Sequence, residues 1–311
     1  MSTHFICNVC ARENLAETAD RETPGCAHCG SSVRIRSMLQ MLSVELFGDG
    51  LPLMEFPAVP AVKALGLSDD WRYAGILARK FSYVNTYFDR EPFLDIVQPH
   101  PDLYGTYDFV VSSEVFEHVP APVERALEEC HRLLKPHGFL CATVPFASDG
   151  QTREHYPELH EYATVNLGGR PVLVNRRRDG TIEIHEALVF HGGMGATLEM
   201  REFSQTGLVD KLRQAGFAEV IFGSEAVPLY GIFPEGNFSL PFIARKEHGK
   251  PGLAGDKIAR PTGYGDGDLV RRLQIGELRS KVADLENKLR GVAESRWMRL
   301  GRRFGVGPKL R

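Results

Sequence analysis

Between Tyr107 and Phe146 the chain follows a pattern that few architectures accommodate. Phe109, Val110 and Val111 form a short β-branched and aromatic run that gives way abruptly to Ser112, Ser113 and Glu114. Such a change marks a buried strand and its carboxyl end. Pro122 then opens a helical pattern in which Val123, Ala126, Leu127, Cys130 and Leu134 share one face, closed by His137-Gly138, and Phe139 to Pro145 reads as the next strand. Strand, crossover helix and strand make a unit that pairs in parallel. Ligands of open α/β sheets collect at the carboxyl ends of the strands, so the turn holding Glu114, Glu117 and His118 is the predicted site.

The alternation extends along the chain. Residues 33 to 47 predict an amphipathic helix stopped by Gly48 and Gly50, Leu51 to Phe56 a first strand, 71 to 80 a helix, and Tyr83 to Tyr87 a second strand ending at Asp89. Residues 147 to 198 interrupt the rhythm as a polar insertion, with Val172–Asn175 and Thr181–Ile184 predicted to pair across Asp179-Gly180. A helix from Ser204 to Ala215 and two strands, AEVIFG and SLPFIAR, follow. Helices alternating with strands over this length predict a doubly wound α/β fold with a mostly parallel sheet.

Four of the six cysteines, Cys7, Cys10, Cys26 and Cys29, are spaced C-x2-C-x15-C-x2-C. Two such pairs make two tight knuckles that complete a tetrahedral thiolate shell, the signature of a zinc site. With all four ligands from protein there is no open position, so the expected zinc is structural. Residues 1–32 are read as this module and 33–246 as the main domain. A glycine-rich linker (247–268), a heptad-spaced helix (269–296) suited to self-association as a coiled coil, and a basic tail (297–311) able to touch an anionic membrane surface complete the organisation. A hydrophobic content of 43%, a net charge of -3 and no long apolar run predict a soluble, cytoplasmic protein. Nucleic acid is not expected as a partner, because acids offset the arginines of the cysteine module.

YDFVVSSEVFEHV followed by PAPVERALEECHRLLKPHGFLCATVPF resembles the region after the fourth strand of class I S-adenosylmethionine-dependent methyltransferases of the small-molecule type. REFSQTGLVDKLRQAGFAEV is similar to their closing helix and strand, and CAHCGSSVRIR to the end of a cysteine-rich module that some members carry. The resemblance implies a seven-stranded Rossmann-like methyltransferase sheet, S-adenosylmethionine as cofactor, and a small-molecule or glycan acceptor methylated on oxygen. It points to Asp89, with Tyr87 as rival for the matching position, for the ribose hydroxyls, Asp95 and Ile96 for the adenine, and Ser112, Ser113 and Glu114 for the cleft. His118 is the expected general base, with Glu114 and Glu117 beside it. Glu114, Glu117 and His118, joined by a later histidine such as His155, His160 or His191, would alternatively hold Mg²⁺ or Mn²⁺.

The family's first strand ends in a glycine-rich loop, and this chain reads LPLMEFPAVPAVKALGLSDD there. Glu55 and Phe56 are taken as the cofactor-side residues of that strand, with Gly66, Ser68, Asp69 and Asp70 forming the only permissive turn nearby. The departure supports a rival expectation, a non-catalytic methyltransferase-like scaffold that uses its cysteine module and coiled coil for contacts.

Overall fold

The computed structural model describes residues 3–16, 25–147, 149–191, 197–233 and 239–249. The expected coiled coil, basic tail and most of the linker lie outside the described residues, as does the side chain of His191.

A small hairpin, β1 (Thr3–Ile6) and β2 (Glu13–Ala16), carries the first cysteine pair at its turn. Helix α1 (Val33–Phe47) follows the second pair; Ser32 caps it by accepting from the Ile35 amide, and Gly48 ends it in the left-handed conformation at φ 72°. The main sheet contains β3 (Val59–Leu67), β4 (Phe81–Thr86), β5 (Tyr107–Ser113), β6 (Leu134–Thr143), β7 (Glu219–Phe222) and β8 (Phe242–Arg245). Their spatial order is β7-β8-β6-β5-β3-β4. Neighbours from β6 to β4 pair in parallel, and β8 runs antiparallel to both β6 and β7. Six strands stand among the described residues where seven were expected. The segment after β4 contains Pro92, Pro99 and Pro101 and forms only a bridge from Tyr87 to Phe93 and one 3-10 turn.

Alternation along the strands feeds two cores. Ala64, Phe109, Val111, Phe139 and Cys141 face α1 and α2 (Trp71–Lys80). Leu65, Leu67, Val110, Leu140 and Ala142 face α3 (Glu124–Leu133) and α4 (Gln205–Gln214). A fully buried ring such as Phe109, stacked at 5.6 Å on Phe139, contributes about 1.5–3 kcal/mol by leaving water.

Three boundaries differ from expectation. The first strand is β3, not Leu51–Phe56, which instead holds a 3-10 turn at Leu53–Glu55. Its apolar residues plug the amino end of the sheet: Phe56 packs edge-on to Phe47 at 4.9 Å and lies 6.4 Å from Phe81. Pro60 is tolerated in β3 because it falls where the register with β4 shifts, between Val59 and Lys63. Helix α3 begins at Glu124 rather than Pro122. His137 and Gly138 lie within β6, so the helix ends earlier, at Leu133.

The insertion forms a separate antiparallel sheet. Arg170–Arg176 pairs with Ile182–His185 across the Asp179-Gly180 turn, as the pattern predicted, and Glu161–Leu167 adds a third strand. Among the described residues no helix is long and apolar enough to cross a membrane.

Candidate functional site

The chain leaves β3 through α2 to β4 on one side, then crosses back to place β5 on the other side of β3. The crevice between the carboxyl ends of β3 and β5 is therefore the topological switch point, the place where open α/β sheets bind ligands. Leu67 of β3 sits in register with Ser112 of β5, and Ser113 with Thr143 at the end of β6.

The turn after β3 is built around Asp69. Its carboxylate is buried and accepts from the Tyr73 hydroxyl at 2.7 Å and the Tyr83 hydroxyl at 2.6 Å. The Asp69 amide donates to Asn85 Oδ1 at 2.9 Å, and Asn85 Nδ2 returns a bond to the Asp69 carbonyl at 2.9 Å. Burial pushes this carboxyl up to about 8, against the two phenols that pull it down. Ser68, at φ 54°, makes the turn in the left-handed region. Gly66 is required here, since a Cβ would lie 2.0 Å from the Tyr83 hydroxyl and 2.6 Å from Asp69 Oδ2. The close approach that a glycine loop leaves to a ligand is occupied in this turn by the chain's own phenol and carboxylate. The next acid, Asp70, caps α2 by accepting from the Arg72 amide at 2.8 Å.

The structure moves Glu55 and Phe56 out of the site. They lie before β3, at the amino end of the sheet, with Phe56 only 2% exposed in the core. Asp89 stands past the end of β4, well exposed and 3.5 Å from Arg90. Nearby in the chain, the exposed rings of Phe88 and Phe93 lie 6.3 Å apart. Asp95 is half-buried and holds its own turn by accepting from the Val97 amide at 3.0 Å, while Ile96 is buried in the core on the α3 and α4 face. Ser112 Oγ is buried with no hydrogen-bond partner among the described residues. Ser113 Oγ lies 3.2 Å from Thr143 Oγ1 and accepts from Arg34, which reaches across from α1. Glu114 adopts φ 57° and its carboxylate accepts from the Ser239 hydroxyl at 2.8 Å.

Glu117 and His118 occupy a 3-10 turn braced from behind. Met200 donates its amide to the Glu117 carbonyl at 2.7 Å, and the buried Arg201 donates to the Phe116 carbonyl at 2.7 Å while pairing with Glu154. Arg201 is thus an internal brace. His118 Nδ1 lies 2.9 Å from the Leu198 carbonyl oxygen, and Nε2 is 3.7 Å from the buried Glu117 Oε1. His155 pairs with Glu199 at 3.1 Å. Among the described residues the only group of three or more metal-capable side chains is the four-cysteine cluster, so the Mg²⁺ or Mn²⁺ arrangement around Glu114, Glu117 and His118 has no geometric support.

That cluster holds Cys7, Cys10, Cys26 and Cys29 with ligand atoms within 4.8 Å of one another. The Val9 amide donates to Cys7 Sγ and the Cys29 amide to Cys26 Sγ, each at 3.4 Å, so both knuckles aim backbone dipoles at sulfur. A hydrogen bond from Cys7 draws the Cys29 thiol down to about 4, and burial raises Cys10 to about 11. The donor set and spacing fit a tetrahedral ion held wholly by protein.

Groups able to engage a nucleoside stand at the rim. Acids stand beyond β4 at Asp89 and Asp95, and the orphaned Ser112 hydroxyl marks a polar position at the end of β5. Sequence reading missed Arg34 and the Asp69 cluster. Arg34 lay off the apolar stripe of its helix, where solvent exposure is the ordinary outcome, and Asp69 was one of several acids in a turn.

Residues 88–142 match the family model described as a methyltransferase domain. No curated protein matches the chain. Among solved structures, the chain is similar to the CMeT domain of the citrinin polyketide synthase, with 14% identity and a TM-score of 0.37 over 60% of this chain and 46% of that one. It therefore spans about half of that protein's length (46%). A 1,6-didemethyltoxoflavin-N1-methyltransferase from Burkholderia thailandensis, solved with S-adenosylhomocysteine bound, is similar at 15% identity and TM-score 0.35, over 76% of this chain and 96% of that one. An S-adenosylmethionine dependent methyltransferase from Mesorhizobium loti gives 15% and 0.35, over 68% and 97%. The segment matched by the family model runs from the end of β4 through β5 and α3 into β6, and over it the chain is similar to a methyltransferase domain, in keeping with its resemblance to the class I S-adenosylmethionine-dependent enzymes.

Proposed function

We propose that this chain moves a methyl group from S-adenosylmethionine to an oxygen of a sugar, glycan or other small polar acceptor, with His118 as the base. The observation that carries the choice of oxygen is the hydrogen bonding of His118. A carbonyl oxygen only accepts, so the contact with Leu198 puts a proton on Nδ1, and in the neutral imidazole the lone pair is then on Nε2. Glu117 Oε1, buried beside Nε2, favours the imidazolium that forms when Nε2 takes the acceptor's hydroxyl proton. The cofactor supplies a methyl carbon already activated by its sulfonium, so the protein's task is mainly to position the reactants. Asp89 would hold the ribose, Asp95 and Ile96 the adenine, and Ser112 and Ser113 the floor of the cleft. The insertion would build the acceptor side. Cys7, Cys10, Cys26 and Cys29 would hold a structural Zn²⁺.

The scaffold alternative draws on the turn after β3, where Tyr83 and Asp69 occupy the approach that a glycine loop leaves open. Label transfer separates the two readings. Chain incubated with methyl-labelled cofactor and a panel of polyhydroxylated acceptors should yield labelled ether. His118→Ala should lower turnover by about 10²–10⁴-fold, with cofactor affinity retained. Absence of label with every acceptor would favour the scaffold, and an unchanged rate in the variant would remove His118 as base.

A further inference from the structure

We infer that Arg36 is the buried counter-charge of the four-cysteine metal site: the loaded thiolate shell and this guanidinium stabilise each other across the seam between the cysteine module and the domain. This role rests on the reading of Cys7, Cys10, Cys26 and Cys29 as zinc ligands and is independent of methyl transfer.

An arginine enclosed in protein is a costly placement unless an opposite charge accompanies it. Arg36, in the first turn of α1, is fully buried at 0% exposure. Neutral groups satisfy its donors. Nη1 donates to the Ser31 carbonyl at 2.6 Å, Nε to the Tyr230 carbonyl at 2.9 Å and Nη2 to the Gly231 carbonyl at 3.1 Å. The guanidinium lies 4.6 Å from the Phe5 ring centre. Carbonyl dipoles and a ring face answer the hydrogen bonds and ease the burial, but they carry no net charge. Among the described residues no carboxylate forms an ion pair with Arg36. Burial pushes its pKa down, and the charges that oppose this are those of the Cys7, Cys26, Cys29 and Cys10 sulfurs.

A zinc ion held by four cysteines takes all of them as thiolates, so the loaded shell is an anion. The Val9 and Cys29 amides aim dipoles at two of its sulfurs without neutralising it. Arg36 supplies a full positive charge from inside the protein, where solvent screens little. Ser31 links the two groups: its Oγ lies 3.1 Å from Cys7 Sγ and 3.4 Å from Cys29 Sγ, and its carbonyl accepts from Arg36. Asn8, in the first knuckle, donates its side chain to the Arg36 carbonyl at 2.8 Å, and its own carbonyl accepts from the Leu53 amide at 2.6 Å. The domain closes the other side. Gly231 turns there at φ 60°, and a Cβ on it would lie 2.7 Å from the Phe5 ring. Removing the cation leaves the charge of the shell uncompensated in this closed seam, and metal affinity falls.

Cobalt(II) titration of the metal-stripped full chain, followed by zinc competition, tests this. Cobalt in a tetrahedral thiolate shell is read from its ligand-field and sulfur-to-metal charge-transfer bands. Arg36→Gln removes the charge and keeps a hydrogen-bonding side chain; it should weaken both metals by about ten- to hundredfold, the usual cost of losing an outer-shell partner. Arg36→Lys keeps the charge and loses the planar fork; it should restore most of the affinity. A residue that only braces the seam through its fork would leave Lys no better than Gln. Equal loss in the two variants, or loss in neither, overturns the inference. Should Arg36→Gln not fold, Arg36→Lys decides alone: affinity close to wild type supports the counter-charge, and a chain that has lost its metal affinity or its fold overturns it. A wild-type chain that gives no thiolate cobalt spectrum removes the metal site, and the inference with it, while the methyltransferase reading stands.

Discussion

Asp69 is a carboxyl group enclosed by protein, with two phenols as its donors. Its folded value is raised to about 8 from an ordinary 3.8, chiefly by burial. Across that window the folded chain keeps a proton that the unfolded chain has released. The stability this group contributes is therefore complete below about pH 4 and is lost as pH rises through about 8. Asp69→Asn removes the titration and keeps an acceptor for the phenols. Thermal melts between about pH 5 and about pH 8 should show wild type losing more of its midpoint than the variant; parallel curves would show that the carboxyl ionises freely in the fold. The residue scale is also where the sequence spoke least clearly. The place of Ser112, Ser113, Glu114 and His118 at and just beyond the end of β5 was legible because a strand's apolar run stops abruptly in front of them. Asp69 and Arg34 were not, since one acid among several and one arginine off an apolar stripe look like ordinary solvated residues until distant strands are brought beside them.

Elements with their own punctuation were read closely. Helix α1 ran over the predicted span because Ser32 and Gly48 supply both caps, and α4 began after Ser204, whose hydroxyl accepts from Gly207. The hairpin across Asp179-Gly180 was legible from its turn residues. The first strand was not. Its early residues are exposed, carry Pro60 and face no regular partner, whereas Leu53 and Phe56, more strand-like in composition, plug the sheet's amino end. Period and composition describe burial, and burial in a plug looks the same as burial in a sheet. The cysteine module is the element with the firmest chemical expectation. The purified chain should carry about one zinc per molecule, and chelation should release it together with the packing of β1 and β2 on α1. Elemental analysis that finds no metal, with the four thiols freely reactive in the folded chain, would contradict a structural zinc site.

At the scale of the molecule, the order of strands does what no single motif could. It puts the switch point between β3 and β5, and it brings together there Asp69 from one turn, Ser113 from another and Arg34 from the helix that follows the cysteines. The glycine loop expected from the resemblance is replaced by a turn filled with the chain's own side chains, so under the proposed function cofactor approach would rely on the acids beyond β4 and the serines of β5. Binding of the cofactor is the claim on which the rest depends, and titration of the full chain with S-adenosylhomocysteine tests it most directly. One ligand should bind per chain with micromolar or tighter affinity; a folded chain that gives no heat at millimolar ligand would contradict the account.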